Sequence, residues 1–251
     1  MILDKFSLSG KVAIVTGSDT GLGQGFSKAF VEAGDKVLGV SVVPSEATQE
    51  MLGADNFQFV VADLSTLDPI DMIINTAVEK FGRLDILVNN AGVIKREDTI
   101  DFSVENWDLV MNVNCRTLFF LSQAAAKQFM KQNSGGKIIS VASMLSYQGG
   151  IRVPSYTASK SAVKGITMTM ANEWAQHGIN VNAIAPGYMA TNNTAALRAD
   201  AERSEAILDR IPAGRWGTPD DIMGAAVFLA SSASDYVNGF TLAVDGGWLG
   251  R

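Results

Sequence analysis

Ser143, Tyr156 and Lys160 are the residues of this chain whose types and spacing could do chemistry. Tyr156-Thr157-Ala158-Ser159-Lys160 sets Tyr156 and Lys160 four apart, on one face of a helix and one turn from each other. Ser143 follows the run Lys137 to Val141, at the carboxyl end of what reads as a strand. A tyrosine with its ordinary pKa of ~10 is a poor proton acceptor near neutrality. A neighbouring ammonium stabilises the phenolate, and a drop of ~3 units corresponds to ~4 kcal/mol at ~1.36 kcal/mol per unit. Such a phenol can exchange a proton with a substrate oxygen that the Ser143 hydroxyl holds in place. A Tyr–Lys pair at this spacing is by itself a common exposed arrangement, so its meaning depends on what accompanies it.

The accompaniment begins near the amino end. Thr16-Gly17-Ser18-Asp19-Thr20-Gly21-Leu22-Gly23 directly follows the aliphatic run Val12 to Val15 and opens a helical stretch. Glycines there let the backbone turn sharply and approach a pyrophosphate, and the helix N-terminus offers N–H groups and the positive end of a dipole. The spacing is G-x-x-x-G-x-G with no Gly-Lys-Ser/Thr after it, so it is not a Walker A loop. A bound nicotinamide dinucleotide is the expectation, and its positively charged oxidised ring would join Lys160 in stabilising the phenolate of Tyr156. The end of the second strand candidate, Gly39-Val40-Ser41-Val42-Val43, has neither an acid to read a ribose 2′-hydroxyl nor a cation for a 2′-phosphate. Asp19 in the loop would repel a 2′-phosphate. NAD(H) is therefore favoured, and the neutral strand end leaves NADP(H) open.

These residues need a scaffold, and the apolar pattern supplies one. Val12 to Val15, Lys36 to Val43, Phe57 to Val61, Ile86 to Val88, Lys137 to Val141, Ile179 to Ile184 and Thr241 to Val244 are strand candidates. Stretches of helical spacing such as Leu22 to Ala33 and Thr76 to Phe81 lie between them. Strands that are apolar without alternation are buried on both faces, and strand–helix alternation reads as repeated βαβ units. The expected fold is α/β: a single doubly wound Rossmann-type domain over residues 1–251, with about seven parallel strands and helices on both faces. From Tyr188 to Arg215 the chain becomes polar and helix-forming (Thr194 to Asp209) without a strand. Following the sixth strand, this segment would sit at the strand carboxyl ends, and 188–215 reads as a small helical substrate lid.

The 251 residues are 47% hydrophobic and 18% charged, enough for one large buried core. Net charge is −6 and no Lys/Arg cluster is present, which speaks against a nucleic-acid partner. No run approaches the ~20 apolar residues of a membrane span, and Met1 to Ser9 has no long apolar stretch of the signal-peptide kind. Cys115 is the sole cysteine, which fits a reducing compartment, and the expected location is cytoplasmic. With His177 the sole histidine, no ordinary zinc site can be assembled and no metal is expected. His177 lies in Gln176-His177-Gly178, ordinary chemistry for a helix end, and no G-x-S-x-G elbow surrounds Ser143.

With these residues in view, the chain resembles the short-chain dehydrogenase/reductase family from end to end. Thr16 to Gly23, with Gly17, Asp19, Gly21, Leu22 and Gly23, matches that family's cofactor loop, and Asn89-Asn90-Ala91-Gly92 matches its N-N-A-G motif. The resemblance implies that Asn90, Ala91 and Gly92 stabilise the sheet and line the adenosine side, and that Asp63 and Leu64 contact adenine. Asn114, Ser143, Tyr156 and Lys160 fall where the family's catalytic tetrad is expected, with the asparagine holding a water in a proton relay through the lysine and the ribose. Pro186, Gly187, Met189 and Thr191 resemble the stretch that cradles the nicotinamide. Ser41 departs from an NAD-preferring pattern. The family is commonly tetrameric, so a homotetramer is implied.

Further runs, Gln148 to Tyr156, Ala185 to Thr194, Arg210 to Trp216 and Asp245 to Leu249, are similar to family members acting on keto sugar acids with NADH. Arg152, four residues before Tyr156, and Arg96 could clamp a carboxylate, with Arg152 the better placed by spacing. Gln148, Asn192 and Asn193 could meet sugar hydroxyls. Two rival readings stand beside a small-molecule sugar-acid substrate. One is a short-chain reductase acting on another polyol, ketone, steroid or acyl-thioester, which would want a more apolar lid. The other is a dinucleotide-binding redox sensor without turnover, which would not need Tyr156.

Overall fold

Seven parallel strands form one sheet in the computed structural model, in the order β3-β2-β1-β4-β5-β6-β7. The structure describes residues 1–251 apart from the side chain of Asn193, so the expected contact of Asn193 with sugar hydroxyls lies outside the described residues. The strands are β1 (Val12–Thr16), β2 (Lys36–Ser41), β3 (Phe57–Val61), β4 (Ile86–Asn89), β5 (Gly136–Val141), β6 (Ile179–Pro186) and β7 (Thr241–Val244). Every residue of β1 and β4 is buried, as strands covered on both faces must be.

Alternate side chains of each strand enter opposite cores. Ile14, Leu38, Leu87, Ile138 and Val181 pack under α3 (Ile70–Phe81), α5 (Leu118–Gln132) and α6 (Pro154–Trp174). Ala13, Val15, Val37, Val88, Ile139 and Ile184 pack under α1 (Gly21–Glu32) and α9 (Pro219–Ala230). This is the doubly wound arrangement, with the strand order reversing between β1 and β4, where the strand carboxyl ends open a crevice.

Departures from the sequence reading have local causes. β2 stops at Ser41, and Val42 and Val43 are exposed ahead of Pro44, which cannot donate to a ladder. α3 starts at Ile70, six residues before the expected Thr76. α2 (Glu46–Leu52) and α4 (Val104–Met111) complete the crossovers. The helix expected over Thr194 to Asp209 is two helices, α7 (Ala195–Ala199) and α8 (Ala201–Leu208). Asp200 separates them in an extended conformation and accepts from Arg203 N at 3.1 Å, capping the second. Among the described residues no helix is long and apolar enough to cross a membrane.

Candidate active site

The glycine loop turns between β1 and α1 with Gly17 and Gly21 at positive φ (66° and 59°), which favours glycine at both. A Cβ on Gly23 would overlap Gly17 O, and one on Gly17 would come within 2.8 Å of Asn90 Nδ2. The cradle is thus closed to any side chain, and Thr20 leaves the start of α1 without a side-chain cap. Backbone N–H groups facing a space that only glycines keep open fit a pyrophosphate.

Asn90 braces this loop instead of facing outward. Its Nδ2 donates to Thr16 O at 2.8 Å and Gly17 O at 3.1 Å, while Thr16 Oγ1 accepts from the N–H groups of Asn90 and Ala91 at 2.9 Å each. Ser41 is a second brace. It is buried, and its Oγ accepts from Ser18 N at 2.8 Å and Asp19 N at 3.2 Å. Its oxygen therefore holds the backbone of the loop that is expected to take the cofactor. Asp19 stands partly exposed at the loop's edge. Asp63 lies exposed two residues past β3, accepting from Ser65 N at 2.8 Å, beside the buried Leu64.

β6 ends in Pro186 and Gly187, and Gly187 N donates to Val244 O at 2.9 Å. A Cβ on Gly21 would lie 3.7 Å from Thr191 Cγ2, so this segment runs close beside the glycine loop. The Met189 side chain is buried in the core, and its carbonyl accepts from Thr191 N at 2.9 Å and from Thr194 Oγ1, so it braces the segment. Asn192 is exposed on the same stretch.

The residues expected to carry the proton chemistry come from α6 and from the stretch after β5. α6 presents Tyr156 and Lys160 on one face, with Lys160 Nζ 5.6 Å from the centre of the Tyr156 ring. Lys160 is buried, donates to Val141 O at 2.6 Å, and burial lowers its pKa to about 8. Ser143 ends the β5 strand run, and its Oγ accepts from Leu145 N at 3.1 Å. Burial raises the Tyr156 phenol above its ordinary value, against the pull of the Ser143 hydroxyl and then of the Arg96 charge. Desolvation outweighs the neighbours of the phenol here. Lys160 keeps its ammonium beside the ring while it donates to the Val141 carbonyl.

Arg152, the other arginine expected at a substrate carboxylate, is held in an ion pair. It sits at positive φ (62°), and its Nε is 2.8 Å from Asp98 Oδ1. Its carbonyl accepts from Glu97 N at 3.1 Å, tying it to the loop that carries Arg96. Spacing from Tyr156 could not reveal this, because a left-handed residue reverses the direction in which its side chain leaves.

Asn114 lies in a π-helical turn (Asn112–Thr117) between α4 and α5 and is fully buried. Its Nδ2 donates to Val93 O at 2.9 Å and Ser159 Oγ at 3.2 Å, and its Oδ1 accepts from Val93 N at 2.8 Å. Gly92 approaches it so closely that a Cβ would lie 3.3 Å from Asn114 Oδ1 and 3.7 Å from Lys160 Nζ. Asn114, Lys160 and Gly92 are thus one packed unit, joined to Tyr156 through Ser159.

The far wall was missed from sequence. Tyr188 packs edge-on against Trp248 and Trp216, with ring centres 4.8 and 5.5 Å apart. Gln148 Oε1 lies 3.5 Å from Arg210 Nη2, at the edge of hydrogen bonding. Aromatic residues so far apart in the chain carry no periodic signal that would have grouped them.

Known proteins resemble this chain over its full length. A family model described as enoyl-(acyl carrier protein) reductase matches residues 17–249. The chain is 63% identical to 2-dehydro-3-deoxy-D-gluconate 5-dehydrogenase of Dickeya dadantii over 100% of both chains. It is 55% identical to the protein of that name from Bacillus subtilis, over 99% of this chain and 98% of the relative. A crystal structure of a gluconate 5-dehydrogenase from Burkholderia cenocepacia J2315, in complex with NADP and tartrate, superposes with a TM-score of 0.93 at 36% identity over 100% of both chains. The glycine cradle, the Ser143–Tyr156–Lys160 set and these full-length matches agree: the chain belongs to the short-chain dehydrogenase/reductase family, as an NAD(P)-dependent dehydrogenase acting on CH–OH groups.

Proposed function

We propose that the protein interconverts 3-deoxy-D-glycero-2,5-hexodiulosonate and 2-dehydro-3-deoxy-D-gluconate, with NAD(H) as its preferred dinucleotide. The observation that carries this reading is the full-length identity to two enzymes named for the sugar-acid reaction. The site supports it with a phenol, a serine hydroxyl and an exposed arginine at one place.

When bound, the dinucleotide supplies or accepts the hydride. Glycines 17, 21 and 23 and the start of α1 hold its pyrophosphate, and Pro186, Gly187 and Thr191 border its nicotinamide end. Lys160 Nζ spends one of its three donors on Val141 O, leaving two for ribose hydroxyls. Ser143 Oγ accepts from Leu145 N and keeps its own proton to donate to the substrate carbonyl oxygen. Tyr156 delivers a proton to that oxygen during reduction, and its raised pKa keeps the proton in place through neutrality. The Asn114 side chain is fully engaged in bracing, so a relay water there would rest on the backbone carbonyl, which a π turn offsets from the regular ladder.

The NAD(H) preference rests on Asp19 and on a β2 end without a cation. The NADP held by the Burkholderia relative makes the comparison of both nucleotides the first measurement. We further propose that 188–215 covers the substrate, and that the chain is a cytoplasmic homotetramer. Exposed Trp107 and Phe120 on α4 and α5, and Tyr236 and Phe240 ahead of β7, are apolar surfaces suited to such packing.

The test follows NADH and NADPH absorbance separately with the 2,5-diketo acid, using a neutral 2,5-diketone as control. Fast NADH oxidation with the acid alone is expected. Turnover of the diketone but not the acid would keep the family and remove the substrate.

A further inference from the structure

A 2,5-diketo acid that reacts at C5 carries its carboxylate at the far end of its carbon chain, so one cation beside the phenol cannot serve both ends. Arg96 acts on Tyr156, at the reacting end. Among the described residues, Arg83, Arg152 and Arg215 are held in ion pairs, and Arg210 is one of the arginines that are not. Arg210 follows α8 in the lid segment, and its guanidinium carbon lies 4.1 Å from the centre of the Trp248 ring. Ile207 and Ile211, on either side of it, pack with Trp248 and with Met144, the residue next to Ser143. The apolar cluster therefore fixes Arg210 relative to the catalytic serine.

We propose that Arg210 binds the carboxylate of the substrate, an assignment that rests on the sugar-acid reading above and names the residue that selects for it. Stacked on the indole, the guanidinium presents its in-plane donors already oriented, and that planar fork matches a carboxylate bidentately. Among the described residues its side chain makes one hydrogen bond, the long one to Gln148 Oε1, so most of its donors remain for a ligand. Among the described residues the buried Nε1–H of Trp248, on the ring against which the guanidinium stacks, has no acceptor. The charges of Arg203 and Arg210 both reach Tyr188, which directly follows the segment bordering the nicotinamide end.

Arg210→Met keeps a long apolar side chain on Trp248 and removes the charge. KM for the 2,5-diketo acid should rise about tenfold or more, equivalent to ~1.4 kcal/mol. The kcat/KM for the neutral 2,5-diketone should stay within about twofold, and the melting midpoint should be unchanged. Arg210→Lys, which keeps charge without the fork, should fall between the two. Equal losses on acid and diketone, or no loss on either, would overturn the assignment while leaving the sugar-acid reading intact, provided the wild type prefers the acid. A wild type that turns over both equally well would overturn both.

Discussion

Two influences meet at Tyr156: burial raises its phenol, and the Ser143 hydroxyl and Arg96 pull it back. The raised phenol is a ready acid for reduction, whereas oxidation needs it ionised. Reduction should therefore be nearly level from about pH 6 to 8, and oxidation should climb with pH. Arg96→Gln removes one of the groups that favour the phenolate, so the oxidation profile should move to higher pH with little change in reduction. An unmoved profile would show that Arg96 does not act on the phenol. Tyr156→Phe should lower kcat by ~10²–10⁴-fold while dinucleotide binding, read by fluorescence titration, persists.

The helices and strands position these side chains through contacts of unequal visibility. α6 was legible because its face carries both reacting residues at i,i+4, and the strands were legible because parallel strands are apolar throughout. The function of Ser41 was not, since the two N–H groups it serves lie more than twenty residues away. Ser18, Ser45 and Thr48 extend this brace: Ser18 Oγ lies 3.1 Å from Ser45 Oγ, and Thr48 Oγ1 donates to Ser18 O at 2.9 Å. The ion pair of Arg152 was hidden for a related reason, because the residue's positive φ is a property of the folded loop and not of residue type. Ser41→Ala leaves two N–H groups without their acceptor, at a cost of ~1–3 kcal/mol if both stay dry. The dinucleotide Kd should rise about fivefold or more, equally for NADH and NADPH, because a brace does not read the ribose. A selective change for one nucleotide would make Ser41 a cofactor contact.

The molecule as a whole places its chemistry at the carboxyl ends of the strands and a separate electrostatic problem at the amino ends. Asp35, Lys11 and Asp85 each immediately precede one of the neighbouring strands β2, β1 and β4. Asp85 is well served, accepting from Arg83 at 2.6 and 2.7 Å, from Val12 N at 3.1 Å and from Lys11 at 3.4 Å. Asp35 is 2% exposed, and among the described residues neither of its carboxylate oxygens has a hydrogen-bond partner. Burial raises its pKa well above the ordinary value, and the neighbouring Asp85 adds to this. The Lys36 N–H, which already donates to Lys11 O at 3.2 Å, and the Lys11 charge only partly offset it. A carboxyl whose folded pKa exceeds its unfolded value of ~3.9 imposes no penalty below that pH. The penalty grows as pH rises from there towards the folded value and is constant above it. Asp35→Asn, neutral at every pH, should therefore melt higher than wild type at pH 7–8, by roughly 2–4 °C for each kcal/mol removed. The gap should close as pH falls towards about 4, whatever the other carboxylates do, because they are common to both proteins. A gap independent of pH would mean that Asp35 is ionised throughout or that the substitution acts through packing alone.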